Sequence, residues 1–488
     1  MHSLIRNFIN GEWVPARSGK SQKNVNPATF EALGDVTVSG REDAEAAIAA
    51  AKAALPGWKH TPAPRRGEIL AKAAVEMTRR KEELARALTL EEGKTFTESL
   101  GEVQKAINNL EFQAGEGRRL NGETIPSEMS STFCWTQREA LGVVALVTPW
   151  NFPVCIPVWK LAPALVCGNT IVHKPASITP WTAQIIAEIL ATAGVPRGVY
   201  NVVFGPGSSV GQTLVTHPDV AAISFTGSDE VGHKLYADGA AHSKKVQCEM
   251  GGKNPLVVMD DADLELAATA TIQGAFGSTG QRCTATSRAI VHTKVYSEFV
   301  KLLVDKAKAL VVGDGMKPGV TVGPAVDEGQ FRVDLKYIEV AKEDGAKLEC
   351  GGARVGEVGW FVQPTIFSGV TPSMRIAQEE VFGPVLSVIE VKDFEGALAA
   401  ANGVKFGLSS SFYSQNYQHV MQFCERVETG IVHINSPTVG GEAQLPFGGM
   451  KATGVGGREM GRTAIEFFSE WKTVYADFTG AKRSTNIY

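Results

Sequence analysis

A thiol, a carboxylate and an amide stand out by the residues around them. Cys283 lies in Gly277-Ser-Thr-Gly-Gln-Arg-Cys283-Thr-Ala-Thr-Ser, directly after Arg282 and among small side chains. A neighbouring cation would depress its pKa and small neighbours would leave it open, the two things a thiolate nucleophile needs. A buried structural thiol is the blander reading, and Cys155, Cys167 and Cys424, in apolar or helical surroundings, fit it. Glu249, in Gln247-Cys-Glu249-Met-Gly-Gly-Lys-Asn-Pro255, ends an apolar run beside a glycine pair. Partly buried there, its carboxyl would have a raised pKa and serve as a general base; solvated, it would be a strand-end charge. Asn151, in Thr148-Pro149-Trp150-Asn151-Phe152-Pro153, sits where a strand gives way to a helix. Its amide has the chemistry to hold an oxyanion, or simply to cap the helix.

Two glycine-rich turns follow apolar runs. Phe204-Gly-Pro-Gly207-Ser-Ser-Val-Gly211 has the spacing G-x-G-x-x-x-G, one residue longer than the dinucleotide fingerprint. Glycines before a helix let a backbone approach a phosphate, and an ordinary tight turn has the same composition. Phe225-Thr-Gly227-Ser228, with Gly232 following, repeats the context and strengthens the nucleotide reading. The same first turn also matches the G-x-S-x-G elbow of serine hydrolases through Ser209, a rival that needs a histidine and an acid nearby in space. No H-x-x-x-H pair and no GxxxxGK[ST] loop occurs, so neither a metal site nor an NTPase is expected.

These residues need a scaffold, and the chain supplies one. Short apolar runs at Val143–Val147, Thr170–His173, Tyr200–Val203, Ala221–Phe225 and Val246–Glu249 alternate with helix-like segments at Pro153–Cys167, Trp181–Ala193, Ser208–Thr216 and Asp229–Ala240. Such alternation predicts βαβ units and a parallel sheet. A second alternation begins at Pro255–Met259, with Asp260, Asp261 and Asp263 at expected helix caps, and continues through Phe299–Val311 to Phe361–Val370. The boundary falls near Gly251-Gly252. Before both sheets, Arg41–Leu55 and Arg65–Leu90 predict two helices, while the β-prone Asn121–Arg138 and Ser469–Phe478 predict a pairing outside both sheets.

With 488 residues, at about 150 per domain, the chain predicts roughly three units. Its 48 basic against 52 acidic residues give a net charge of −4, which argues against a general nucleic-acid binder. Seven scattered cysteines with no C-x-x-C pair predict reduced thiols and a cytoplasmic protein. The opening Met1–Trp13, interrupted by Arg6 and Asn10-Gly11, shows no export signal. The uncharged stretch Leu141–Trp159 is long enough to suggest a membrane span, but prolines at 149, 153 and 157 favour a buried strand and turn.

Seven blocks in order, Thr148–Pro153, Lys174-Pro-Ala-Ser177, Phe225–Ser228, Glu249–Gly252, Gly280–Cys283, Glu380-Val-Phe382-Gly-Pro384 and Pro446-Phe447-Gly-Gly449, resemble the aldehyde dehydrogenase superfamily across essentially the whole chain. The resemblance implies an α/β fold with a Rossmann-like cofactor domain (1–120 and 141–251), an α/β catalytic domain (252–450), a small β oligomerisation arm (121–140 and 468–488) and a connecting segment (451–467). It also implies attack by Cys283 on an aldehyde, an oxyanion held by Asn151 and the Cys283 N–H, and hydrolysis of a thioester by water that Glu249 activates. Lys160 and Glu459 would relay the proton, or else be surface charges.

The family pattern further implies NAD and/or NADP as cofactor. Lys174 would face the adenosine-side ribose, Glu380 the nicotinamide-side ribose and Phe382 the nicotinamide. Thr148, Pro149, Trp150, Gly207, Gly211, Phe225, Gly227, Ser228 and Gly251 would line the rest. Ser177 stands where strongly NAD-preferring relatives often carry Glu, so NADP is expected to be usable. Phe152, Trp159, Arg282, Thr284 and Phe447 would face the substrate. The two arginines that succinic semialdehyde dehydrogenases use are replaced by Trp159 and Gly277. The run through Cys283 looks like that of α-ketoglutaric semialdehyde (2,5-dioxovalerate) dehydrogenases, with Arg282 as the carboxylate partner; a broad-range aliphatic or aromatic aldehyde dehydrogenase is the alternative. A CoA-acylating relative, a non-redox cysteine or serine hydrolase and a non-catalytic scaffold are the readings from other classes. Assembly as a homodimer or homotetramer is expected through the arm.

Overall fold

The computed structural model describes residues 4–480, and two open sheets organise them. In the first, Tyr200–Val202, Thr170–Lys174, Val143–Val147, Val220–Thr226 and Lys245–Glu249 lie side by side and parallel. Their near-continuous burial is what a parallel sheet covered by helices requires. Register places Val147 opposite Lys174 and Phe225, and Thr226 opposite Glu249. Thr148–Asn151, Gly227-Ser228 and Met250-Gly251 therefore leave the sheet at one edge, where open parallel sheets bind ligands.

Short antiparallel strands close the sheet's sides. Asn7–Ile9 pairs with Tyr200–Val202 on one side and Gly454–Val455 with Lys245–Glu249 on the other. Neither was expected, since segments this short carry little periodicity.

The second sheet runs Lys347–Cys350, Thr365–Ser368, Val385–Val391, Thr286–His292, Asn254–Val258, Ser409–Tyr413 and Ile431–Ile434, parallel except for its first strand. Asp263 caps the helix Leu264–Phe276 through the Leu266 N–H at 3.0 Å. The other two expected caps do different work: Asp260 pairs with Lys294, and Asp261 accepts from Ser414 and Gln415. The segment 299–311 of the second alternation falls largely on the helix Tyr296–Lys308.

Arg41–His60 is one helix, as expected, five residues longer at its end. Arg65–Leu90 is two, Ala63–Arg79 and Lys81–Glu92, broken at Arg80 (φ −100°, ψ 15°). No glycine or proline marks the break; Arg80 is tied across to Glu188 at 2.8 Å as well as to Glu83. Ser208–Thr216 begins as a π-helical turn, Gly207–Gly211, and becomes α-helical only over Gln212–Thr216.

The largest surprise is the helix Phe96–Glu116, whose start is written in the capping box of Thr95 with Glu98. It packs against both Ala63–Arg79 and the helix Cys155–Val166.

The β-prone segments pair as expected: Thr132–Ala140 lies antiparallel to Ser469–Asp477 from Ala140↔Ser469 to Thr132↔Asp477, with Thr124–Ile125 outside. The expected arm also includes 481–488, outside the described residues. Among the described residues, no helix is long and apolar enough to cross a membrane, and no group of His, Cys, Asp and Glu is arranged to hold a metal.

Candidate active site

Cys283 is placed by a turn held in an unfavourable conformation. After the helix Leu264–Phe276, Ser278, Thr279 and Gly280 have φ of 48°, 58° and 70°, three successive left-handed residues. The two with side chains each cost about 1–3 kcal/mol, so the surroundings must hold them there. They do: the Ser278 N–H donates to Glu98 at 2.6 Å, and the Gln281 side-chain oxygen accepts from the Val326 N–H at 2.9 Å. Asn254 donates to the carbonyls of Cys283 and Ala285, both at 2.8 Å. Glycine is required at two approaches, because a Cβ on Gly280 would lie 2.2 Å from the Gly383 carbonyl and one on Gly252 2.6 Å from that of Cys283.

The thiol stands where two cavities meet. One, of about 230 Å³, is lined by Pro149, Trp150, Asn151, Gly227, Ser228 and Glu380 among others; the second, of about 290 Å³, by Phe152, Trp159, Lys105, Arg282, Thr284 and Phe447. Cys283 and Ile156 line both. Its expected low pKa is not found. Burial pushes the Cys283 thiol up to about 12, with Glu380 and Glu249 adding to the rise. Arg282 gives no relief because it turns away, bonding Ser278 at 2.9 Å and pairing with Glu98 at 3.4 Å. Burial raises Cys155, Cys167 and Cys248 to about 12 as well, so access to the cavities is what distinguishes Cys283.

Asn151 is buried beside it, and its amide donates to the Gln281 carbonyl at 3.0 Å, leaving one amide hydrogen for another acceptor. Helix capping, the other reading of Asn151, is performed by Glu102, which accepts from the Val154 and Cys155 N–H groups at 2.9 and 3.1 Å. The same Glu102 binds Lys94 at 2.7 Å, and Lys94 donates to the Asn151 carbonyl at 2.5 Å. Lys94 thus fixes the turn that carries the amide.

The Glu249 carboxyl is buried and accepts from the Gly449 N–H at 3.2 Å. Burial raises its pKa well above the carboxylate range and Glu459 pushes the same way, against Arg458 and Lys160. The structure does not place it on the wall of either cavity; it rests against Gly448 and Gly454. Lys160 and Glu459 are not surface charges: they form a buried ion pair, with Ser224 accepting from Lys160 at 2.8 Å and Thr226 donating to Glu459 at 3.3 Å.

The remaining sequence candidates fall into two groups. In the first cavity, Glu380 accepts from the Gly252 N–H at 2.8 Å, and burial lifts its pKa to about 7. A Cβ on Gly251 would lie 2.2 Å from that carboxyl. Phe382, at φ 61°, meets Trp150 edge-on at 5.5 Å. Phe225 backs Gly227 from behind, and Thr148 is bound to His173 at 2.8 Å, so neither lines the cavity. Apart from it, Lys174 runs past Gly211, its pKa lowered by burial to about 8, and the Ser177 hydroxyl donates to the Gly205 carbonyl at 3.4 Å. Gly207 is exposed at the same turn. No histidine is bonded to Ser209 among the described residues, which removes the support for the serine elbow.

The aldehyde dehydrogenase family model matches residues 13–474. The chain belongs to the aldehyde dehydrogenase family. It is 47% identical to an α-ketoglutaric semialdehyde dehydrogenase of Bacillus subtilis, over 96% of this chain and 97% of the relative. Among solved structures, an E. coli NADP-dependent enzyme is 39% identical with a TM-score of 0.95, covering 97% of this chain and 98% of that one. A Staphylococcus aureus betaine aldehyde dehydrogenase in complex with NAD+ is 34% identical with a TM-score of 0.96, covering 99% and 97%.

On this aldehyde dehydrogenase, the five residues expected to face substrate, Phe152, Trp159, Arg282, Thr284 and Phe447, all line the second cavity. Sequence reading missed Glu98, Glu102 and Lys105, which line it from the unforeseen helix, and Gln330 in the first cavity. The helix was legible from its capping box; Gln330, on the helix Glu328–Glu343, carries no local signal.

Proposed function

We propose that this aldehyde dehydrogenase oxidises α-ketoglutaric semialdehyde to 2-oxoglutarate with NAD+ or NADP+. The carrying observation is the position of Cys283 at the junction of two cavities, one glycine-walled with the Glu380 carboxyl, the other aromatic and cationic. The first fits a dinucleotide on this chain's own terms: a side chain at Gly251 would fill it, and Glu380 offers a buried hydrogen-bonding carboxyl. Gly227 and Ser228 would take the pyrophosphate, Glu380 the nearer ribose, and Lys174 with Gly211 the farther one. When bound, the cofactor supplies a hydride acceptor.

The chain's own residues do the rest. The Cys283 thiol gives up its proton to solvent, and its sulfur attacks the aldehyde carbon. The second amide hydrogen of Asn151 and the Cys283 N–H, which engages no acceptor among the described residues, receive the developing oxyanion. Hydride loss leaves a thioester on Cys283. Glu249 takes a proton from the water that cleaves it, releasing the acid and the Cys283 thiolate, and the buried Lys160–Glu459 pair passes that proton on. Such a step requires the Glu249 side chain to swing from Gly449 toward Cys283.

The name of the Bacillus subtilis relative supports the substrate. The paired Trp159 and Phe447 rings, their centres 5.1 Å apart and tilted by 35°, favour the second reading, a broad-range aldehyde dehydrogenase. Steady-state assays with α-ketoglutaric, succinic and glutaric semialdehydes and with simple aldehydes decide between them. The expected result is a kcat/KM for α-ketoglutaric semialdehyde at least about tenfold above that for pentanal; a preference for pentanal overturns the substrate.

Ser177 makes a separate prediction. A carboxylate there would face the 2′-phosphate of NADP, so Ser177→Glu is expected to lower kcat/KM with NADP at least about tenfold and leave NAD within about threefold. Equal effects on both would remove Ser177 from cofactor choice.

Assembly as a dimer or tetramer through the arm is part of the proposal. It is supported by Phe133, Trp471, Tyr475 and Phe478, large apolar side chains exposed on the arm and just beyond its last strand. A cytoplasmic location is supported by the seven unpaired cysteines.

A further inference from the structure

The second cavity is lined by two cations and two carboxylates, Lys105 and Arg282 against Glu98 and Glu102, with the Lys94 ammonium behind Glu102 and also 3.9 Å from Glu92. Glu102 is fully committed, one oxygen to Lys94 at 2.7 Å and the other to the Val154 and Cys155 N–H groups. Glu98 is equally committed: one oxygen takes the Ser278 N–H at 2.6 Å and Arg282 at 3.4 Å, and the other takes the N–H and hydroxyl of Thr95 at 3.0 and 2.9 Å. Lys94 and Arg282 each thereby have a carboxylate partner, although the Arg282 Nε has no hydrogen-bond partner among the described residues.

Lys105 has no carboxylate partner among the described residues. Its half-buried ammonium instead lies 5.1 Å from the centre of the Trp159 ring and 5.8 Å from that of Phe447, beside Gly441. Ring faces attract a cation without consuming its hydrogen-bond donors, so the ammonium is positioned yet unsatisfied. Its charge also reaches the Cys283 thiol, whose pKa it pulls down against the effect of burial.

We infer that Lys105 receives the distal carboxylate of the substrate while Cys283 attacks the aldehyde at the other end. The inference rests on the substrate class proposed above and assigns to Lys105 the part that sequence reading gave to Arg282. The aromatic pair holds the ammonium, and the small residues Gly440 and Gly441 beside it leave room for a carboxylate.

The test compares Lys105→Met and Lys105→Arg with the parent enzyme on glutaric semialdehyde, α-ketoglutaric semialdehyde and pentanal. In Lys105→Met, KM for the two acids is expected to rise at least about tenfold more than KM for pentanal, with kcat for the acids held within about threefold. Lys105→Arg should recover most of the loss. A parallel change on acids and pentanal, or no change on the acids, overturns the inference. The parent enzyme's own preference for α-ketoglutaric semialdehyde over pentanal tests the substrate proposal separately. The variant's selective loss on glutaric semialdehyde reads Lys105 whichever acid the parent prefers.

Discussion

Cys283→Ala is expected to lower kcat/KM at least about ten-thousand-fold, followed by NAD(P)H absorbance, because the reaction loses its only covalent route. The backbone at this position is set by Asn254 and by the close approach of Gly252, both acting at the Cys283 carbonyl, so alanine should fold in place. Thermal melting should therefore change little. The exposed Cys424 is the control, and Cys424→Ala should keep full activity. A residual rate in Cys283→Ala within tenfold of the parent would remove the thiol from the chemistry. The raised pKa adds a pH signature. Only the thiolate reacts, and with the thiol pushed up to about 12 its fraction at neutral pH is small and grows with pH. In the cofactor-free protein, alkylation of Cys283 by iodoacetamide should keep accelerating through pH 10, where a free cysteine, half ionised at about pH 8.5, has levelled off.

Glu249→Gln should separate the two halves of turnover. Thiol attack and hydride transfer do not need this carboxylate, so a burst of about one NAD(P)H per site should survive. In the proposed mechanism thioester hydrolysis does need it, and the steady-state rate should drop by about 10²–10⁴. Unchanged steady-state turnover would take Glu249 out of its role.

The pH dependence follows from burial. A base acts when deprotonated, and burial with Glu459 nearby holds the Glu249 carboxyl well above the carboxylate range. Hydrolysis should therefore be lost as pH falls through that raised pKa, and should still be rising where an exposed glutamate would already be fully ionised. Glu459→Gln removes a raising charge and frees Lys160, a lowering one, so the limb should move to lower pH. A limb that stays in place would uncouple the pair from the base.

Much of this was legible in the sequence because it is local. The five central strands of the first sheet are short segments bounded by turn signals, and the glycines at 251, 252 and 280 mark places where another group comes too close for a side chain. The acidity of Cys283 was misread because adjacency in sequence says nothing about where Arg282 points; its guanidinium is drawn off by Glu98, from a distant helix. The placement of Glu249 against Gly449, the burial of Lys160 with Glu459 and the seating of Lys105 against Trp159 and Phe447 depend on segments brought together only by folding. The helix Phe96–Glu116 is different: its capping box was plain to read, yet the expected helices stopped short of it.

The edge strand Gly454–Val455 and the partners of the buried glutamates have a consequence for synthesis. Glu459 lies 299 positions after Lys160, and the Gly461 carbonyl accepts from Gln113, 348 positions earlier. A chain emerging from the ribosome exposes Cys283, Glu249 and the glycine turns at 207–211 and 227–228 while their last supports are still untranslated. Lys160 is then an unpaired charge, Glu249 lacks the Gly449 N–H, and the sheet edge at Lys245–Glu249 stands open to stray pairing. The enzyme is completed from its tail, and a nascent chain stalled before Gly448 carries the reactive groups without the framework that makes them an active site.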